Sequence, residues 1–257
     1  STSEQYGAIT VWSSAKAAVV NVENTEINVA GDSKKAYVFP GDAIVEGVDQ
    51  IGRIVAMIGE AGYETLTEAI ADAKEGQTVK MVYDVNLSEI LVINKAITLD
   101  GNNKTLTSTA GRAFNIETVG KVVISNLTVN AGERAFNIIN KPATVELNDV
   151  TATASNNAVM IATSAGAANV TINGCDFTGL AVVNVAGAGA QVAINNTNIT
   201  NVDDNKDENY GAITVYSTAT KANVTVNGGS ITVADDSKKA YIFAEGATVT
   251  GVDQIGQ

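Results

Sequence analysis

The sequence predicts an all-β fold, a right-handed parallel β-helix (a solenoid with three-strand rungs of about 22–31 residues) with one short N-terminal capping helix in its main module. Three observations carry this prediction. A block of sequence recurs after 204 residues, a shorter apolar motif recurs every 22–31 residues, and one segment alone has helical periodicity. Repeats of that length that contain strands are typical of solenoids.

The long repeat relates residues 6–52 to residues 210–256 at a constant offset of 204, without gaps. Roughly 29 of 47 aligned positions are identical, which excludes chance. We therefore interpret residues 1–52 as the C-terminal rungs of a preceding, similar module, and residues 53–257 as one full β-helix module. This interpretation predicts a longer natural protein that carries such modules in tandem.

The short repeat marks the individual rungs of the predicted solenoid. Alanine followed by a larger residue opens an alternating apolar stretch six times, at spacings of 22, 23, 23, 31 and 28 residues. The six pairs are Ala113-Phe114, Ala135-Phe136, Ala158-Val159, Ala181-Val182, Ala212-Ile213 and Ala240-Tyr241. Apolar residues at alternate positions face one side of a strand, so each pair predicts one strand that faces the core.

Asparagine follows a second alternating stretch in five rungs, at Asn126, Asn148, Asn173, Asn195 and Asn227. Asn and the Gly that often follows it tolerate a positive φ, so these positions predict tight bends between strands. Stacked Asn side chains at such bends can hydrogen-bond from rung to rung. Isolated turns are the alternative, which five similarly placed copies disfavour.

The predicted cap comprises a strand and a helix within residues 54–76, and the rungs follow in residues 77–257. Ile54–Ile58 is typical of a strand, and apolar residues then fall at helical spacing, at Leu66, Ala69, Ile70 and Ala73. Thr65 with Glu68 predicts a capping box, and Gly76 predicts the end of the helix. Such a helix would cover the apolar end of the solenoid and mark the boundary between modules.

Three segments carry a family resemblance: 63–73, 76–79 and 97–106. They resemble the N-terminal cap and first rungs of pectate-lyase-like β-helices, in particular the repeats of large bacterial or archaeal cell-surface and adhesin-like proteins. The resemblance covers residues 54–257. It implies an extracellular or cell-surface location and a structural or adhesive role. It is weaker for function than for fold, because the same fold also hosts lyases, hydrolases and phage spikes.

Composition argues against several classes of function. The chain has no histidine, which removes the commonest general base, Ser-His-Asp and Cys-His arrangements, and histidine metal sites. Its net charge of −12 disfavours nucleic acid and anionic membrane surfaces as partners. No apolar stretch is long enough to insert into a membrane. The single cysteine, Cys175, is expected to be a small buried residue. We therefore expect a protein that is not an enzyme and has no cofactor.

Arg112 and Arg134 are the candidate ligand-binding residues. They occupy matching rung positions, so the sequence predicts that they lie side by side and attract an anion such as a uronate. The alternative, which we favour, is two solvated residues paired to Glu133 or Glu117.

One acidic loop is the candidate metal site, with Asp203, Asp204, Asp207 and Glu208 as ligands. Clustered carboxylates with Asn can bind Ca²⁺. A solvated loop is favoured instead, since residues 1–5, the aligned stretch of the first copy, lack these aspartates.

Threonines on one face are a further candidate feature, because flat threonine arrays on β-solenoids can bind ice. Thr128, Thr151, Thr200 and Thr232 predict one threonine per rung with gaps, rather than a two-column array. This pattern argues against ice binding.

The leading hypothesis is a non-catalytic structural or adhesive repeat module of an extracellular surface protein. Its expected partners are tandem modules of the same polypeptide or other copies of the chain. In the second case, separate chains would assemble head to tail into fibres. A glycan or a host or cell-surface protein would be a further partner. The alternative is a carbohydrate-binding or polysaccharide-lyase-like β-helix that acts on an acidic glycan.

Overall fold

The structure, a computed structural model, describes residues 6–29, 34–48, 53–202, 210–234 and 237–253. Strands account for 55% of the described residues and helices for 4%, and parallel coils stack into a β-solenoid of about ten turns. The predicted all-β parallel β-helix with a short helix is therefore confirmed.

The elements of the first 93 residues comprise nine strands and the α-helix. In chain order they are β1 (Gly7–Val11), β2 (Val19–Asn21), β3 (Lys34–Val38), β4 (Ile44–Glu46), β5 (Ala56–Ile58), β6 (Ala61–Tyr63), α1 (Leu66–Asp72), β7 (Thr78–Met81), β8 (Val85–Leu87) and β9 (Leu91–Ile93).

The remaining strands build the rest of the coil. They are β10 (Thr98–Ser108), β11 (Arg112–Ile116), β12 (Lys121–Ala131), β13 (Arg134–Ile138), β14 (Thr144–Ala154), β15 (Asn157–Ile161), β16 (Asn169–Asn173), β17 (Asp176–Gly179), β18 (Val183–Val185), β19 (Gln191–Asn201), β20 (Gly211–Val215), β21 (Asn223–Thr232), β22 (Lys238–Ile242) and β23 (Thr248–Thr250). A 3₁₀ turn covers Thr163–Ala165.

Two large sheets run along the solenoid. We call the seven-stranded one the flank sheet; its order is β22-β20-β18-β15-β13-β11-β9, all parallel. The other, the long sheet, has twelve strands and includes the eleven-residue strands β10, β12, β14 and β19. Six of the seven strands of the flank sheet lie at or directly after the six alanine pairs, and β9 precedes the first pair.

Asparagine ladders follow the long sheet, as the sequence predicts. Asn148, Asn173, Asn195 and Asn227 lie in register, and the last three each donate through Nδ2 to Oδ1 of the preceding one at 2.7–2.9 Å. The residues that follow them have positive φ values: Asp149, Gly174, Asn196 and Gly228. The ladder therefore bonds each rung to the next at the point where the strand bends. Asn126 is different, because it occupies the bend itself and Ser125 takes the ladder position.

The alanine pairs do not all have the same register in the flank sheet. The core-facing column runs Phe114, Phe136, Val159, Val183, Ile213 and Ala240. Four rungs contribute the second residue of their pair, whereas the rungs of Ala181-Val182 and Ala240-Tyr241 contribute Val183 and Ala240, one residue away, which reverses the face of each side chain. Ala181 and Val182 are both fully buried, so apolar character does not distinguish the two faces there. At the other rung, the small Ala240 faces the core and Tyr241 faces outward.

The cap helix agrees with the prediction at its N-terminal end and differs from it at its C-terminal end. Thr65 accepts a hydrogen bond from the backbone N–H of Glu68 at 3.1 Å, so the predicted N-cap is correct. The predicted stop at Gly76 is wrong, because the helix ends at Asp72. Lys95 Nζ donates to the carbonyls of Ala71 and Ala73 at 2.6 and 2.8 Å. These hydrogen bonds satisfy carbonyl groups at the end of the helix, so the helix ends before Gly76. Gly76 serves a later turn with φ of +80°.

A short antiparallel hairpin in the cap has no counterpart in the prediction. Strand β5 pairs antiparallel with both β6 and β7, whereas the solenoid strands pair in parallel. Leu66, Ala69 and Ile70 of α1 join the main core cluster. The hairpin and helix together close the end of the solenoid at which the module begins.

Candidate functional site

Residues 6–48, here called the N-terminal segment, repeat the strands of residues 210–253, the C-terminal segment. Shifted by 204 residues, β1, β3 and β4 coincide with β20, β22 and β23, and β2 coincides with the first three residues of β21. Pairing follows the same rule, since β1 pairs with β3 as β20 pairs with β22, in the same register. The sequence repeat is therefore a structural repeat, whereas the assignment of residues 1–52 to a preceding module stays a prediction.

The N-terminal segment packs on the cap and on the residues after β7 through a contact that we call the joint. Tyr37 and Phe39 form a buried apolar cluster with Ile54 and Val82, and these four side chains are no more than 7% exposed. A parallel bridge between Val38 and Arg53, the residue before the cap, extends the sheet of the segment. The joint therefore combines strand pairing with an apolar interface.

Polar contacts fix the geometry of the joint. The hydroxyl of Tyr83 lies 3.0 Å from the carbonyl oxygens of both Pro40 and Ala43 and donates to them. The guanidinium of Arg53 lies 4.3 Å from the centroid of the Tyr83 ring. Burial raises the pKa of Tyr83, which keeps its hydroxyl protonated as a donor.

An ion pair closes the rim of the same interface. Lys34 Nζ lies 2.6 Å from a carboxylate oxygen of Glu64, and this hydrogen bond raises the pKa of Lys34. Both side chains are about one third exposed or less. Such pairs add little energy, so the apolar cluster rather than the ion pair holds the joint.

An aromatic group occupies the outer face of each repeat. Tyr6, Trp12, Tyr37 and Phe39 recur as Tyr210, Tyr216, Tyr241 and Phe243. Trp12 stacks on Phe39 with ring centroids 5.9 Å apart, and Tyr241 stacks on Phe243 at 5.7 Å. Tyr241 therefore lies outside the core column of the flank sheet, in which Ala240 stands.

The arginine pair lies where the sequence places it. Arg112 and Arg134 are register partners on β11 and β13, side by side on the flank sheet. Glu133 lies beside both, with 3.1 Å to Arg134 Nη2 and 3.9 Å to Arg112 Nε. Glu117 instead accepts a hydrogen bond from Asn140. Arg134 Nε is buried and has no hydrogen-bond partner within the described part of the chain.

The threonine face has two columns where the sequence predicts one. Thr128 pairs with Thr151, and Thr200 pairs with Thr232, but these pairs lie in adjacent columns. The columns run Thr105, Thr128, Thr151, Asp176, Asn198, Ser230 and Thr107, Asn130, Thr153, Thr178, Thr200, Thr232. The predicted single column is therefore wrong, because residues two apart on a strand share a face. Asp176 interrupts the first column with a charge.

The acidic loop with Asp203, Asp204, Asp207 and Glu208 lies outside the described residues. Among the residues that the structure does describe, no three His, Cys, Asp or Glu side chains are grouped so as to hold a metal ion. In the same part of the chain, no helix has the length and apolar character needed to cross a bilayer.

Cys175 is a core residue, as predicted. It is 1% exposed, and its thiol lies 3.3 Å from the carbonyl oxygen of Asn173. Burial raises the pKa of the thiol to about 11. The thiolate needed for nucleophilic chemistry is therefore scarce at neutral pH.

This environment predicts a thiol that does not react in the folded protein. We expect Ellman's reagent at pH 8 to label native protein far more slowly than protein unfolded in guanidinium. Because the folded pKa is raised, the thiol's contribution to stability is present below about pH 9 and is lost as pH rises toward 11. Cys175→Ala should remove this alkaline slope, and rapid labelling of the native thiol would contradict the assignment.

Comparison of the chain with protein-family models, with curated proteins and with solved structures finds no match. The fold and the repeat define the chain as a β-solenoid protein with an internally duplicated end. Its function is therefore argued from the geometry of the joint and of the flank.

Proposed function

We propose that this protein is a non-catalytic structural repeat module, a spacer in an extracellular surface protein that carries such modules in tandem. One observation supports it above the others: the same strands in the same register occur 204 residues apart, and the first set is packed on the cap of the module. A spacer needs joints between units and a rigid core within each unit. Parallel rungs bonded by asparagine ladders supply that core.

The flanks of the rod carry the features of a surface exposed to water. The chain has a net charge of −12, and its long strands alternate buried apolar with exposed polar residues. Net charge of one sign keeps extended proteins apart in solution. In the adhesive part of the proposal, the flanks of the rod would make weak contacts with a glycan or with another surface protein.

A length measurement tests the spacer function. Proteins with one, two and three copies of the 204-residue unit would be imaged by negative-stain electron microscopy. The contour should grow by a constant step of roughly 40 Å per unit, the rise of about eight stacked rungs. Collapsed particles whose contour does not grow would exclude a spacer. Light scattering over a concentration series would show whether separate chains also stack end to end into fibres.

A second candidate function is the binding of an acidic glycan at the flank sheet, which includes the lyase-like alternative. The adjacent guanidinium groups of Arg112 and Arg134, with the buried, unpartnered Nε of Arg134, favour it. Glu133 opposes it, because its carboxylate lies between the two cations. In this candidate the anionic sugar displaces Glu133 from the arginines.

The role of Glu133 gives a direct test of this candidate. Glu133→Gln should tighten binding of an oligogalacturonate about fivefold, as expected for release of ~1 kcal/mol of competing ion pairing at a partly exposed site. Calorimetry measures the affinity, and Glu117→Gln is the matched control, since Glu117 bonds to Asn140 instead. If neither wild type nor Glu133→Gln binds, this candidate is excluded. Release of unsaturated sugars by wild type would contradict a non-catalytic module.

A further inference from the structure

The two copies of the repeat differ in how far one face is covered. Phe39 is 4% exposed against the cap, whereas Phe243, its equivalent, is 39% exposed. Tyr37 is 7% exposed, whereas its equivalent Tyr241 is only partly buried. The same apolar face is thus packed in the N-terminal segment and open in the C-terminal segment.

The open face keeps the backbone groups that the joint uses. Phe243 N–H donates to the Val215 carbonyl at 2.8 Å, as Phe39 N–H donates to that of Val11 at 3.1 Å. The following turn is also the same, because the Ala247 N–H bonds to the Ala244 carbonyl at 3.3 Å, as Ala43 bonds to Pro40. The carbonyls that would accept a hydrogen bond from an incoming tyrosine are therefore present.

The turn differs between the two copies at three positions, and its carboxylate moves by one residue. Pro40, Gly41 and Asp42 of the N-terminal segment are replaced by Ala244, Glu245 and Gly246, so Glu245 stands where the N-terminal segment has Gly41. A Cβ built on Gly41 would lie 3.5 Å from Lys104 Nζ and 2.6 Å from the carbonyl oxygen of Val82. A glutamate there meets a lysine of opposite charge, but its Cβ is too close to the cap backbone. The turn at Glu245 must therefore sit slightly further from a cap than the turn at Gly41 does.

We propose that the face formed by Tyr241 and Phe243 is a docking surface for the cap and first rungs of a following module, a second copy of residues 53–104 in the same polypeptide. The phenyl ring of Phe243 packs on the residues equivalent to Ile54 and Val82, and Glu245 pairs with the equivalent of Lys104. This inference rests on the proposed function, because it names the partner of a tandem module. Separate chains are poorer partners, since each cap already carries its own N-terminal segment.

Hydrogen exchange on a two-module protein tests the docking surface. In this protein, residues 1–256 are followed directly by a second copy of residues 53–257. Thr248→Ser in the last copy distinguishes by mass the peptides of the inner and outer C-terminal segments. The inner residues 238–250 should exchange about tenfold more slowly, or more, than the same residues in the 257-residue chain. Inner Phe243→Ala should abolish this protection, and Val119→Ala, at a side chain 72% exposed, should not change it.

A charge swap separates docking from general stiffening. Inner Glu245→Lys should reduce the protection, and Lys104→Glu in the second copy should restore it in the double variant. Unchanged exchange of the inner segment in the two-module protein would overturn the docking surface. So would a dimer of the 257-residue chain that Phe243→Ala abolishes, since the partner would then be a separate chain. The contour could also lengthen by a fixed step while the inner C-terminal segment exchanges without protection. That result would support the spacer function and exclude only the docking surface.

Discussion

Phe136→Ala should destabilise the solenoid by about 3–5 kcal/mol, the largest effect expected of a single substitution in this chain. Phe136 is fully buried and stacks on Phe114, with ring centroids 5.3 Å apart. Removing the phenyl group loses its burial and leaves a cavity between rungs that the parallel ladders prevent from closing. Chemical denaturation followed by circular dichroism measures the loss.

A double-mutant cycle sharpens this prediction. Phe114→Ala with Phe136→Ala should cost less than the sum of the single variants, by about 0.5–1.5 kcal/mol for the lost ring contact. Val119→Ala, on an exposed side chain, is the control and should change stability by no more than about 0.5 kcal/mol. If Phe136→Ala cost as little as Val119→Ala, the rungs would not stack around these rings.

Phe39→Ala should have the second large effect, and it should be local to the joint. The side chain is 4% exposed, stacks on Trp12 and packs with Ile54 and Val82, so its loss should weaken the joint by about 3–5 kcal/mol. Hydrogen exchange should show faster exchange in residues 34–48 and unchanged exchange in the distant rungs, because contacts in solenoids are mostly between neighbours.

The duplicated sequence supplies a matched control for this variant. Phe243→Ala in the 257-residue chain removes the same atoms at the equivalent position, but the ring is 39% exposed. It should cost about 1 kcal/mol or less. Equal costs for the two variants would show that the cap does not cover Phe39, and the joint described above would be wrong.

The sequence predicts the solenoid well because the repeated residues are the ones that determine it. Asn173 and Asn195 recur at the bends, and the ladder hydrogen bonds between them follow directly from that repetition. The residue at which a helix ends is harder to predict when it depends on a single contact with a distant part of the chain. The helix ends at Asp72 rather than near Gly76 because Lys95, on a neighbouring coil, bonds to its last carbonyls, a contact that is distant in sequence.

The rungs at Val183 and Ala240 show a second limit. Each alanine pair predicts a strand but does not fix which of its residues faces the core, and at Tyr241 the larger residue faces outward onto an aromatic surface. The joint could not be predicted because it depends on contacts between coils. The sequence does not link Tyr83 to Phe39, and only the coil brings the Tyr83 hydroxyl to the Pro40 carbonyl. The adjacency of Arg112 and Arg134 was predictable because both stand at the same position of consecutive repeats.

The asparagine ladder also affects how the protein ages chemically. Asn-Gly sequences deamidate when the backbone nitrogen of the glycine attacks the side-chain amide and forms a succinimide. At Asn173 both sides of the amide are held by neighbouring rungs, and the Gly174 N–H donates to the Asn195 carbonyl at 2.9 Å. Asn227, also followed by glycine, lies at the exposed end of the ladder. Isoaspartate should therefore accumulate first at Asn227, at the end of the rod, and later at Asn173 in its interior. Chemical ageing of a module would then begin at the end where it meets the next module.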